Sequence, residues 1–175
     1  MATLLFISPS ELTETTIIGG NIDPDKYTMN IENVMVTTIE PLLGTELYDV
    51  IYAGVLADNL TGLYSTLYTE FVKPITKNQA CAEYVTVSGF IIANGGAFKH
   101  QPEDAQIMDK DEKALISTIY SSKADTYIQR FLKWICKNPL TEYKTYQDEV
   151  NASKDVSLTA GWYFGNTGEP TIYES

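Results

Sequence analysis

Apolar residues recur at helical spacing along most of this chain, and prolines punctuate the recurrence; together they restrict the fold to a small helical bundle. The clearest stretch runs from Asp109 through Asn138, with Leu115, Ile116, Ile119, Tyr120, Tyr127, Phe131, Trp134 and Ile135 on one predicted apolar face. Its acidic start (Asp109, Asp111, Glu112) and basic end (Lys133, Lys137) complement a helix macrodipole, and Pro139 stops it.

Earlier in the chain, Ser8-Pro9-Ser10-Glu11 has the form of a capping box: Ser8 as N-cap, Pro9 at the first position, Glu11 at the third. The short helix it starts should fail before Gly19-Gly20. Asp23-Pro24 repeats the start signal, and Ile31, Val34, Met35, Thr38, Ile39 and Leu42 keep helical spacing. A helix is therefore predicted from about Pro24 to about Glu40, interrupted at Pro41 and loosened at Gly44. A second face follows in Leu47, Tyr48, Ile51, Tyr52 and Val55, then a polar turn at Ala57-Asp58-Asn59.

From Thr61 the spacing of Leu63, Leu67 and Phe71 is helical up to Pro74. The same face resumes as Cys81, Tyr84, Val85, Ser88, Ile91 and Ile92, closing at Asn94-Gly95-Gly96. The β-branched run from Val85 to Ile92 leaves a strand as the alternative there. Phe98 to Met108 reads as a polar loop.

The expected fold class is all-α: a helical domain over residues 1–146, followed by an extended, irregular arm over 147–175. The arm has no helical period, three glycines after Val150, and the cluster Trp162-Tyr163-Phe164. Such a segment cannot bury three large rings by itself. A partner surface and the chain's own domain are equally open as their home, and these three residues are the candidate interaction site.

Charge narrows the function classes. Asp and Glu number 23 against 12 Lys and Arg, a formal net charge of -11, and phosphate-backbone binding is not expected of so acidic a surface. A wall past which DNA slides without sticking remains compatible with it. Cys81 and Cys136 are expected to be small buried hydrophobes in a reducing compartment. No run approaches a membrane span, and Leu4-Leu5-Phe6-Ile7 lacks the basic region of a signal peptide.

The residues needed for common chemistries do not gather. His100 is the single histidine, with no Cys or carboxylate at ligand spacing, and reads as a solvated loop residue. Asp23-Pro24-Asp25 and Asp109-Lys110-Asp111-Glu112 lack the later glycine and glutamate of a calcium loop. Gly95-Gly96 lacks the lysine of a phosphate loop, and no nucleophile elbow occurs. Asn59-Leu60-Thr61 and Asn151-Ala152-Ser153 match the glycosylation pattern by chance. The expectation is no enzyme, no catalytic residue, no metal and no cofactor. Twelve tyrosines, six phenylalanines and two tryptophans suit an assembly component.

The segment Ile39-Glu40-Pro41-Leu42-Leu43-Gly44-Thr45-Glu46-Leu47-Tyr48 resembles the I-x-P-L-L-G-x-x-L-Y element of head–tail connector proteins of tailed phages. It is similar in particular to ring proteins of crAss-like phages. The later order also fits: Lys73-Pro74 within a long helix, Asn94-Gly95-Gly96 in a loop, then Trp134, Asn138-Pro139, Tyr143 and Tyr146. The resemblance spans about Leu4 to Tyr146.

It implies a structural virion protein at the head–tail junction, assembled in the host cytoplasm as a homo-oligomeric, commonly twelvefold ring below the portal. Such a ring extends the DNA channel without binding DNA specifically, docks adjacent tail proteins, and has no membrane role. An extended arm reaching a neighbouring subunit belongs to the same expectation. The alternative is a phage assembly chaperone or a cytoplasmic helical protein-interaction adaptor.

Overall fold

Ser8 begins the first helix as its neighbours dictate: its hydroxyl accepts the Glu11 N–H at 3.1 Å, with Pro9 in the first turn of α1 (Pro9–Thr15). The computed structural model describes residues 4–18, 25–88, 90–93, 96–99 and 110–144. Among these residues the fold is all-α in its body, with one short hairpin. Asp23-Pro24, His100, Asp109 and the arm's Trp162, Tyr163 and Phe164 lie outside the described residues.

Two prolines do not stop their helices. In the first run, α2 (Asp25–Val34) passes into a π-helical turn (Met35–Ile39) and on into α3 (Glu40–Leu43), with Pro41 inside. In the second, α5 (Gly62–Leu67) passes through a π-helical turn (Tyr68–Val72) into α6 (Lys73–Val87), with Pro74 inside. Each time the residue before the proline donates its N–H five residues back, Glu40 to the Met35 carbonyl and Lys73 to that of Tyr68. A proline ring collides with the carbonyl four residues earlier and offers no N–H to it. Widening the turn by one residue moves that carbonyl aside and keeps the helix running. The predicted interruptions at Pro41 and Pro74 are thus corrected to wide turns.

What ends the first run is Gly44. Its backbone sits at φ 76, ψ 155, a region open almost only to glycine. Its N–H still bonds to the Glu40 carbonyl at 2.9 Å, and its own carbonyl accepts the Tyr48 N–H at 3.0 Å, opening α4 (Thr45–Leu56). Ile39, Leu43 and Leu47 around the corner are fully buried.

The predicted helix through Ile92 is also corrected. Ser88 turns to φ -60, ψ 133 and closes α6 at Val87; β1 (Phe90–Ala93) then pairs antiparallel with β2 (Gly96–Lys99), Ile91 opposite Phe98. The β-branched run had carried both signals, and Asn94-Gly95 between the paired Ala93 and Gly96 is the strongest short hairpin signal.

Helix α7 (Lys110–Ile135) packs along α6, and α6 also lies against α2. The face of α7 turned inward is Ile116, Tyr120, Ala124, Tyr127, Ile128, Phe131 and Ile135. Leu115 and Ile119, predicted on that face, are 62% and 45% exposed. Phe71, Phe131, Trp134 and Tyr143 form an aromatic knot, with ring centroids 5.3 Å apart for Phe71–Trp134 and 5.6 Å for Phe131–Tyr143. Cys81 is buried, and burial pushes its thiol pKa up. Cys136 is exposed, contrary to expectation, because it follows the last buried position of α7; both thiols are free.

The N-terminal segment is clamped between the two wide turns. The Phe6 N–H donates to Met35 Sδ at 3.4 Å, and the Tyr68 hydroxyl donates to the Phe6 carbonyl at 2.7 Å. Met35 and Tyr68 are the first residues of the two π turns. The buried Phe6 ring lies 5.5 Å from Tyr48, 6.2 Å from Tyr52 and 6.0 Å from Tyr68. Lys73 adds an ion pair to Glu11 of α1 at 2.7 Å.

Candidate assembly surface

One surface that leaves apolar side chains in solvent beside a groove is the edge formed by α4 and α5. It begins with how α4 ends. Asn59 donates to the Gly54 carbonyl at 3.1 Å and Asp58 to that of Val55 at 3.2 Å, the paired bonds of a Schellman cap. Asp58 occupies the left-handed position at φ 50, where glycine is usual. This cap folds Leu60 back over Gly54 so closely that a Cβ on Gly54 would lie 2.3 Å from Leu60 Cδ2.

The fold-back leaves an open groove of about 440 Å³. Val50, Ala53 and Ala57 of the α4 side form one wall, and Leu60 with Tyr64 the other. The same two helices leave Leu56 67% and Leu63 42% exposed, and Val50 in the groove wall is 37% exposed.

The far end of the described chain is fastened here. The Tyr64 hydroxyl donates to Glu142 Oε2 at 2.9 Å, and this bond raises the tyrosine pKa. Lys144 Nζ pairs with Glu46 Oε1 of α4. The last described residues therefore reach Tyr64 of the groove wall, through Glu142, and the first turn of α4, through Lys144.

In the corner that carries the Pro-Leu-Leu-Gly element, Leu43 and Gly44 are buried, Leu42 is half-buried and Pro41 is exposed. Tyr48, half-buried beside Phe6 and Tyr52, has its pKa pushed up to about 12, by burial first and then by the charge of Glu40. A smaller hollow of about 220 Å³ lies outside it between Val36, Glu40, Pro41, Gly44 and Thr45. Among the described residues no group of three or more His, Cys, Asp or Glu is placed to hold a metal ion, and no helix is long and apolar enough to cross a membrane. The groove itself was missed in the sequence; its one signal was Asp58-Asn59 after a helical face containing Gly54.

Residues 39–155 match the profile of a family of unknown function, DUF6712. The chain belongs to that family. No curated protein and no solved structure matches the chain. The DUF6712 match opens on Ile39, at the Pro41–Gly44 corner, and takes in the α4–α5 groove and all of α7. The clamped segment around Phe6 and most of the first helical run precede it.

Proposed function

We propose that this DUF6712 chain is a structural virion protein, a head–tail connector subunit that forms a ring below the portal and extends the DNA channel. The observation that carries the reading is the exposure of Leu56 on α4 and Leu63 on α5, apolar side chains outside the residues that line the groove. An isolated domain gains nothing by leaving these side chains in water, whereas a subunit buries them against its neighbour. The resemblance of residues 39–48 to the connector element supports the same reading.

Charge fits the channel role. Carboxylates outnumber basic groups almost two to one, so a lumen lined by such a chain repels phosphate and lets DNA pass. Proposed partners are further copies of the chain, the portal, and the next tail protein.

The test is native mass spectrometry of the full chain over a range of concentrations, alone and mixed with its portal protein. A discrete ring, formed alone or on the portal, is the expected result. A monomer that ignores the portal at every concentration overturns the proposal.

A further inference from the structure

We infer that the α4–α5 groove is the seat of the chain's own C-terminal arm, which inserts the rings of Trp162, Tyr163 and Phe164 between Ala53 and Tyr64. Three observations carry this, and none depends on the connector reading, because all concern a single copy. The groove is shaped by small side chains on one wall, Ala53 and Ala57, and its volume of about 440 Å³ is of the size that takes large apolar groups. The chain's exit is tied to the groove's other wall, through the bond from the Tyr64 hydroxyl to Glu142. The residues that follow have the right chemistry: between Asp155 and Glu169 the sequence VSLTAGWYFGNTG carries no charge and three large rings.

Reach does not limit the contact. About eighteen residues separate Lys144 from Trp162, enough for up to ~60 Å of extended chain. The attachment of Glu142 to Tyr64 holds the arm at a high effective concentration near its own groove, which favours the same copy over a second one. The aromatic rings then find the apolar burial that an irregular segment cannot supply internally.

Hydrogen exchange on the full-length protein tests this, comparing the native chain with the triple variant Trp162→Ser, Tyr163→Ser, Phe164→Ser and with Ala53→Arg. Amides of residues 53–64 should exchange about tenfold faster in the triple variant, as expected for uncovering of a site that buries large rings, while those of α6 and α7 stay unchanged. In Ala53→Arg, which blocks the groove from an exposed position, amides of residues 156–168 should lose the protection they have in the native chain. Equal exchange of residues 53–64 in native and triple-variant chains overturns the inference. Protection of 156–168 that survives Ala53→Arg does the same. Protection that rises with protein concentration assigns the groove to a second copy's arm and overturns the same-copy contact.

Discussion

The two proline crossings start alike and finish differently. Both place a five-residue π turn before the proline, and both close it with the N–H of the residue just ahead of that proline. Three residues past Pro41 stands Gly44, and the helix ends there; three residues past Pro74 stands Lys77, and α6 continues to Val87. Proline therefore bends the hydrogen-bond ladder without ending it. The glycine makes the corner, because it alone accepts the backbone at φ 76, ψ 155.

The largest effect expected from disturbing this pair is in the packing around the second crossing. Phe71, in the π turn and set between Phe131 and Trp134, should cost about 3–5 kcal/mol on change to alanine. Urea unfolding measures it, and a loss below about 1 kcal/mol would mean the aromatic knot does not close. Next comes the exchange of stop signals. Gly44→Ala should lose about 1–3 kcal/mol by strain at the corner, whereas Lys77→Gly should lose about 1 kcal/mol and leave α6 intact. Circular dichroism with denaturant titration separates the two. A Lys77→Gly chain that breaks its helix would show that glycine after any π turn is sufficient.

A smaller change is expected from Tyr68→Phe, which removes the hydroxyl bound to the Phe6 carbonyl. About 1 kcal/mol should go, with faster amide exchange confined to the N-terminal segment and the first π turn. Uniform loss over α7 would instead place that bond in the global unfolding unit. The smallest effect lies on the helix that carries on. Burial raises the Glu83 carboxyl pKa, so its ionised form is disfavoured in the folded state. Below the ordinary carboxylate range both folded and unfolded chains are protonated there and the penalty is absent; it accrues as pH rises through the unfolded and then the folded pKa. Glu83→Gln should therefore raise Tm slightly at neutral pH, and the gain should vanish by about pH 3.

Much of the body was legible because local chemistry and packing agree in it. The N-cap at Ser8, the α4 face of Leu47 and Ile51, and the inward Phe131 and Ile135 of α7 all follow their spacing. Legibility fails where another force sets the geometry. A π turn adds a residue to the helical count, so spacing read straight through Pro41 or Pro74 loses its phase. Leu115 and Ile119 keep helical spacing but stand on the outer side of α7, since periodicity gives a stripe and not the identity of whatever covers it. Phe90 to Ala93 show the same limit from the other side: β-branched residues suit either state, and pairing with Gly96–Lys99 decides. The groove was illegible because it depends on Leu60 folding onto Gly54, a contact made by the cap and not by any apolar period. Trp162, Tyr163 and Phe164 stood out by composition alone, and their place is the subject of the hydrogen-exchange test.

Each π turn also acts as an insertion absorbed in place. Closing a ring of five residues instead of four accommodates one surplus amino acid without displacing the helix on either side. A chain with Pro74→Ala and one residue deleted between Tyr68 and Val72 should form an uninterrupted α-helix with Leu67 and Ile75 still facing the core. Relatives in DUF6712 that lack the equivalent of Pro74 are accordingly expected to show a one-residue gap in the Tyr68–Val72 turn, the one of the two that lies wholly within the matched residues.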